Sequence, residues 1–166
     1  DAPLAELDLP LRLAAVLAAP EAKTERGTVR FVQLTGPHAG RYAVRRYHRC
    51  GALARLFPEI DALFGVPQPE KHHPEVDTGV HIMLVLDAAA QLSPDTRVRF
   101  AALMHDLGKG NTPKAEWPQH IGHEERVVEL VKNFCKRFCV LNEHRDLAVL
   151  TARYHAHCHR IAELRP

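Results

Sequence analysis

No disulfide framework is written into this sequence of 166 residues: its four cysteines, Cys50, Cys135, Cys139 and Cys158, include no CxxC pair. A reducing, cytoplasmic setting fits them. No run approaches the ~20 apolar residues needed to cross a bilayer, so no membrane partner is expected. Net charge is only +2, which removes any argument for nucleic-acid binding from charge as a whole. Internal repeats and low-complexity tracts are absent, and from Asp77 onward there is neither period-2 alternation nor an Asn-Gly hairpin signal. The sequence opens on Asp1 rather than Met and stops at Pro166, and it reads as a piece of a longer protein.

What is present is ordinary in bulk, with 46% apolar and 25% charged residues, as in a globular domain. A chain of this length buries roughly 70% of its unfolded surface and needs neither disulfide nor metal merely to fold. One count departs from the ordinary: twelve histidines, ten of them between His72 and His159. Charge is also unevenly spread. Residues 26–55 carry seven arginines (26, 30, 41, 45, 46, 49 and 55) and no acidic residue, with Phe31, Tyr42 and Tyr47 interleaved. Such a stretch suits a phosphate backbone with rings for stacking. It equally suits a solvated helix face whose acidic partners lie elsewhere in the fold.

The apolar spacing is helical. Asp8 and Pro10 open an Ala/Leu-rich helix that Pro20 stops. Prolines 58, 67, 69 and 74 mark a short helix plus linker over residues 57–75. Asp77 or Thr78 caps a helix whose stripe is Val80, Leu84 and Ala88, with Met83 and Leu86 beside it, and Ser93-Pro94 ends it. A second helix runs from Pro94-Asp95 towards Gly108, a third from about Ile121 to Phe138, and a fourth from Asn142 to about His155. The expected class is all-α.

His105-Asp106, followed by Leu107-Gly108-Lys109-Gly110, is the strongest chemical signal. Imidazole and carboxylate both ligate divalent first-row metals. Adjacent helical residues diverge by about 100°, so both reach one ion only near a helix end. The stop at Gly108 supplies one, with a dipole favourable to a cation. His81 sits in an apolar helix, where a hydrogen-bonded core histidine is the ordinary reading. The next helix, however, ends in His-Asp, and antiparallel packing brings His81 towards the same locus. His123 and His155 are candidates for a second metal or a phosphate, while His120 reads as a surface loop and His157 and His159 as a frayed end. His123-Glu124-Glu125-Arg126-Val127 begins like H-E-x-x-H but lacks its second histidine, so the zinc-protease reading falls. Cys135 and Cys139, one turn apart, read as core.

The order His81, His105-Asp106, His123, His155 resembles the HD-domain superfamily of metal-dependent phosphohydrolases. The runs CGALARLFPEIDALFGVPQPEKHHPEVDTGVH (50–81) and VRFAALMHDLGKGNTP (98–113) resemble more closely the HD part of the bacterial multifunctional CCA proteins, tRNA nucleotidyltransferases that carry such a domain. The likeness extends over about residues 49–159. It implies an HD-domain helical bundle over residues 67–166 behind a short helical neck over 1–66. It also implies phosphatase, 2'-nucleotidase and 2',3'-cyclic phosphodiesterase activities that depend on nickel or magnesium, with manganese or zinc as further candidates.

By motif position His81, His105 and Asp106 are the implied metal ligands, and His105, Asp106 and Lys109 the implied catalytic groups, with Lys109 facing a substrate phosphate. His123 and His155 match second-site positions. A further aspartate ligand is expected beyond Pro166. Residues 20–48 match the family's neck poorly, so Arg41, Arg45, Arg46 and Arg49 are RNA-contact candidates on charge rather than by motif. The nucleotidyltransferase head has no counterpart, so this piece is not expected to add CCA. Implied partners are tRNA or 2',3'-cyclic and 2'-phosphorylated nucleotides, and a second copy of the chain. Two rival readings remain: a tRNA-binding or dimerisation module with structural histidines, and another HD phosphohydrolase acting on free nucleotides.

Overall fold

The computed structural model describes residues 21–24, 27–30, 44–45, 48–49 and 51–159. The expected helix over 8–19, the residues Arg26, Arg41 and Arg46 and the rings of Phe31, Tyr42 and Tyr47 lie outside the described residues. The neck holds two short strands beside its helical elements: β1 (Glu21–Thr24) and β2 (Gly27–Arg30) pair antiparallel, Glu21 opposite Arg30 and Thr24 opposite Gly27. Three β-branched residues, Thr24, Thr28 and Val29, favour extended backbone there. Every longer regular element among the described residues beyond them is a helix, as the expected class requires.

Two short helices follow, α1 (Ala52–Leu56) and α2 (Pro58–Asp61), the second opening on a proline at its first turn, where a missing N–H costs nothing. α3 spans Thr78–Leu92. The Asp77 side chain caps it, accepting from Val80 N at 2.8 Å on one oxygen and from Gly65 N at 2.6 Å on the other. Ser93-Pro94 ends it, and Asp95 caps α4 (Thr96–Met104) by accepting from Arg97 N at 2.9 Å. A 3-10 turn over Leu107–Asn111 and another over Lys114–Glu116 lead to α5 (His123–Arg137). Glu124 and Glu125 in the first turn of α5 and Lys136 and Arg137 in its last both complement the helix dipole. α6 runs Asn142–His159, four residues longer than its apolar spacing suggested.

α4 packs between α3 and α6, and α5 lies on α6. One core joins them, and it includes residues upstream of the HD-like segment: Leu53, Phe57, Ile60 and Leu63 are fully buried against Ile82, Leu103, Val127 and Phe134. Phe134 is its hub, with ring centroids 4.7 Å from Phe138, 5.8 Å from Phe57 and 6.2 Å from Phe100. Phe134→Ala should therefore cost about 3–5 kcal/mol. A lowered urea midpoint at unchanged slope would register it.

The stripe expected on α3 is not the buried one. Val80 and Leu84 are 43% and 46% exposed, whereas Ile82, Met83, Leu86 and Ala89 are buried. The helix is rotated so that Ile82, Met83, Leu86 and Ala89 take the core, with His81 half-buried at the edge of that face and its Nε2 3.8 Å from Asp106 Oδ2. Cys139 also departs from expectation: it is exposed at φ 50°, just past the end of α5, while Cys135 is buried and its thiol is pushed up to about 12 by burial. No helix among the described residues is long and apolar enough to cross a membrane.

Candidate metal centre

Asp106 is the centre of the site because the chain leaves the helix there. α4 stops at Met104, His105 keeps helical angles, and Asp106 turns to φ −112°, ψ 11° before the 3-10 turn. Two adjacent side chains can then converge, because the helix stops four residues earlier than the expected stop at Gly108. Gly108 has another use. A Cβ there would lie 2.2 Å from the carbonyl oxygen of His123 and 3.1 Å from Val127 N, so its bare backbone lets the first turn of α5 approach and delivers His123.

Five ionisable groups surround the Asp106 carboxylate, which is 1% exposed. Around Oδ2 lie Lys109 Nζ at 2.8 Å, His105 Nε2 at 3.3 Å and His81 Nε2 at 3.8 Å. Around Oδ1 lie His155 Nε2 at 3.4 Å and His123 Nε2 at 3.5 Å, and those two nitrogens are 3.4 Å apart. The residues singled out from sequence as His81, His105, Asp106, Lys109, His123 and His155 thus meet at one locus. Arg45 and Arg49 are exposed.

The outward nitrogen of each ring fixes its inward one. His105 Nδ1 lies 2.8 Å from Ala102 O, His123 Nδ1 2.9 Å from His120 O and His155 Nδ1 2.9 Å from Ala152 O. A carbonyl only accepts, so each Nδ1 carries the proton, and in the neutral ring each Nε2 directs a lone pair at Asp106. His81 follows the same pattern with a carboxylate, its Nδ1 2.5 Å from Glu75 Oε1.

Four lone-pair donors and a carboxylate are the donor set of a divalent first-row metal. Asp106 Oδ1 has no hydrogen-bond partner among the described residues despite its burial, an orphan that a cation would satisfy. Ligand atoms each ~2.1 Å from one ion sit about 3–3.5 Å from each other, the spacing seen around this oxygen. The ligand atoms form two triads, His81–His105–Asp106 and Asp106–His123–His155, each within 4.8 Å, so the carboxylate belongs to both. The residues present fit a metal.

Electrostatics agree with this arrangement. In the metal-free site burial opposes the charge on Asp106, yet the charge of His105, and of His123 and His155 where those rings are protonated, holds its carboxyl well below the usual range. Burial pushes His81 down despite the attraction of Asp106 and Glu75. Burial also opposes protonation of His155, but in the metal-free site the nearby charge of Asp106 prevails and raises it, favouring on Nε2 a proton that a bound ion would displace.

Several members of the site went unnoticed in the sequence. Gln68 Oε1 accepts from Lys109 Nζ at 2.5 Å, so the ammonium is engaged by Gln68 and Asp106 and is 6% exposed. His120, expected on a surface loop, is 1% exposed: its Nε2 lies 2.7 Å from Pro67 O, and its own carbonyl orients His123. His73 stands edge-on to His81 with centroids 4.7 Å apart, and burial, with the charges of Lys109 and His81, pushes it down to about 4.

Gln68, Pro67 and Glu75 all come from the loop over 67–77, pinned by the Pro67–Asp77 bridge and by Gln68 N donating to Val76 O at 2.6 Å. Within it Val76 adopts φ 57°, a conformation costing a β-branched residue about 1–3 kcal/mol. Glu75→Gln weakens the orientation of His81 without emptying space. Metal affinity should fall about 10–100-fold, as for other outer-shell partners, by competition with a chelating dye.

A family model described as HD domain matches residues 78–164, just over half of the chain. The chain is 62% identical over 125 residues to the multifunctional CCA protein of Nitrosospira multiformis, covering 75% of this chain and 30% of that protein. It is 62% identical over 117 residues to the one from Thioalkalivibrio sulfidiphilus (70% and 29%), and 58% identical over 121 residues to the one from Teredinibacter turnerae (73% and 29%). The chain spans under a third of the length of these relatives. No solved structure matches it.

Proposed function

This chain belongs to the HD-domain family of metal-dependent phosphohydrolases, and from that premise we propose that it is the hydrolytic part of a CCA-type protein. Its substrates in this reading are 2',3'-cyclic phosphodiesters and 2'-phosphates at nucleotide or tRNA ends. His81, His105 and Asp106 hold one divalent ion. His123 and His155, with the second oxygen of Asp106, hold either a second ion or the substrate phosphate. Four imidazoles to one carboxylate favour nickel or zinc over magnesium and manganese, which prefer oxygen ligands. Exposed Arg45 and Arg49, with Arg41 and Arg46, are the proposed RNA contacts. Self-association and a cytoplasmic setting complete the reading.

The observation that carries it is the tautomer pattern: four rings anchored through Nδ1 turn Nε2 on a buried carboxylate with one orphan oxygen. A bound ion supplies polarisation of a phosphoryl oxygen and a lowered pKa for water. The chain's own residues supply the rest. Asp106 stays ionised in a buried place because the Lys109 ammonium, 2.8 Å away, compensates its charge. Lys109, tied to Gln68 and Asp106, fixes the carboxylate plane. The anchored rings keep their lone pairs convergent before substrate arrives, so little reorganisation is needed.

A purely structural module would leave that orphan oxygen unexplained. Elemental analysis after purification without added metal should find a stoichiometric first-row ion, lost in His105→Ala. Turnover of adenosine 2',3'-cyclic phosphate should vanish on chelation and return with the ion. Salt-sensitive tRNA binding by a chain that holds no metal would instead favour the binding module.

A further inference from the structure

The helices that carry the cluster also line an open groove beside it, of about 620 Å3. Its walls include the rings of His81, His105 and His155, so recess and cluster share a boundary. The remaining wall is almost wholly aliphatic, with Val85 from α3, Val98 from α4 and Leu147 from α6. Tyr154, next in sequence to His155, lines it too and is 48% exposed; its ring meets His157 edge-on, with centroids 5.5 Å apart. Away from the histidines, the only side-chain polar groups on the wall are the hydroxyls of Thr151 and Tyr154 and the thiol of Cys158.

This composition limits what can sit there. A group attached to a phosphate held at Asp106 would enter a slot with aromatic and aliphatic walls and almost no side-chain hydrogen-bonding capacity. We propose that the recess receives the base of the substrate nucleotide and holds it by stacking and apolar burial, without selecting among bases. The proposal rests on the nucleotide reading above. Every nucleobase presents a π-face, so stacking is tolerant of sequence. Strong discrimination needs polar groups that a wrong partner would leave unpaired, and this wall offers few. The site would then process RNA ends regardless of the terminal base.

The test uses the nickel-loaded 166-residue chain, with calorimetric binding of adenosine, cytidine and uridine 2'-phosphates beside hydrolysis of the matching 2',3'-cyclic phosphates. Glycerol 2-phosphate serves as the probe without a base. The three nucleotides should bind within about three-fold of one another and at least about ten-fold more tightly than glycerol 2-phosphate. Tyr154→Ala, which removes a half-exposed ring, should weaken all three about ten-fold and leave glycerol 2-phosphate unchanged. Val85→Trp, which fills the recess, should do the same.

Nucleotides that bind no better than glycerol 2-phosphate, or that ignore both variants, overturn the proposal and assign the recess to another occupant, such as chain outside the described residues. A preference above about thirty-fold for one base overturns its unselective character. Binding that depends on Tyr154 in a chain with no hydrolysis would support the recess and sink the hydrolytic reading. Intact hydrolysis with binding indifferent to Tyr154 would do the reverse.

Discussion

Asp106→Asn is expected to abolish metal retention and to lower turnover of adenosine 2',3'-cyclic phosphate by at least about a thousand-fold, equivalent to about 4 kcal/mol of transition-state stabilisation. The change is nearly isosteric, so it tests charge rather than packing. Asp106 contributes an oxygen to both triads, and no other carboxylate is within either of them. A neutral amide leaves four imidazoles without an anionic ligand. The same substitution leaves the 6%-exposed Lys109 with only neutral acceptors, and a buried ammonium without its counter-charge costs about 3–5 kcal/mol.

Stability against pH separates the two effects. The folded-state pKa of Asp106 lies well below 3.8, so in the metal-free wild type its contribution is fully present above that value and is lost as pH falls through the lower folded pKa. Asp106→Asn removes that acid limb while lowering stability at neutral pH. Metal content and turnover that survive the substitution would refute the assignment of the centre.

Sequence patterning reached the residues that converge on Asp106 because their signals are local or ordered along the chain. The His-Asp dyad, the caps at Asp77 and Asp95 and the run of helices that places His81, His123 and His155 are all of this kind. What it missed depends on tertiary approach. The buried face of α3 is set by its packing on α4 and the core, so Val80 and Leu84 stay exposed while Ile82 and Leu86 are buried, although both sets are apolar at helical spacing. Glu75 and Gln68 lie in a loop without periodicity, and their contacts with His81 and Lys109 follow from the Pro67–Asp77 bridge and the left-handed Val76. His120 looked like a loop residue because nothing near it in sequence announces that the carbonyl of Pro67, fifty-three positions earlier, will meet its ring. A signal was nevertheless present. Glu75, six positions before His81 in a proline-bounded loop, is an acid beside a histidine-rich motif, where a carboxylate partner for a ligating imidazole is the common arrangement.

Gly108→Ala should be the most damaging glycine-to-alanine change among the described residues. Its Cβ would meet backbone atoms, the carbonyl of His123 at 2.2 Å and Val127 N at 3.1 Å, and no side-chain rotation relieves a clash with main chain. The 3-10 turn and the first turn of α5 must separate by on the order of an ångström, which overpacking data equate with about 1–3 kcal/mol of stability. The functional cost is larger, because His123 sits on the turn that moves while His81, His105 and His155 stand on other elements. Misplacement on that scale lowers catalysis about a hundred-fold. The triad His81–His105–Asp106 is left in place, so the variant should still bind an ion while losing a second one or losing affinity for phosphate. Gly110→Ala is the control: its Cβ would meet only the Ala62 Cβ at 3.2 Å and the Ala62 backbone at 3.4 Å, contacts that a few tenths of an ångström relieve. Equal turnover in the two alanine variants would show that close approach at Gly108 does not set the position of His123.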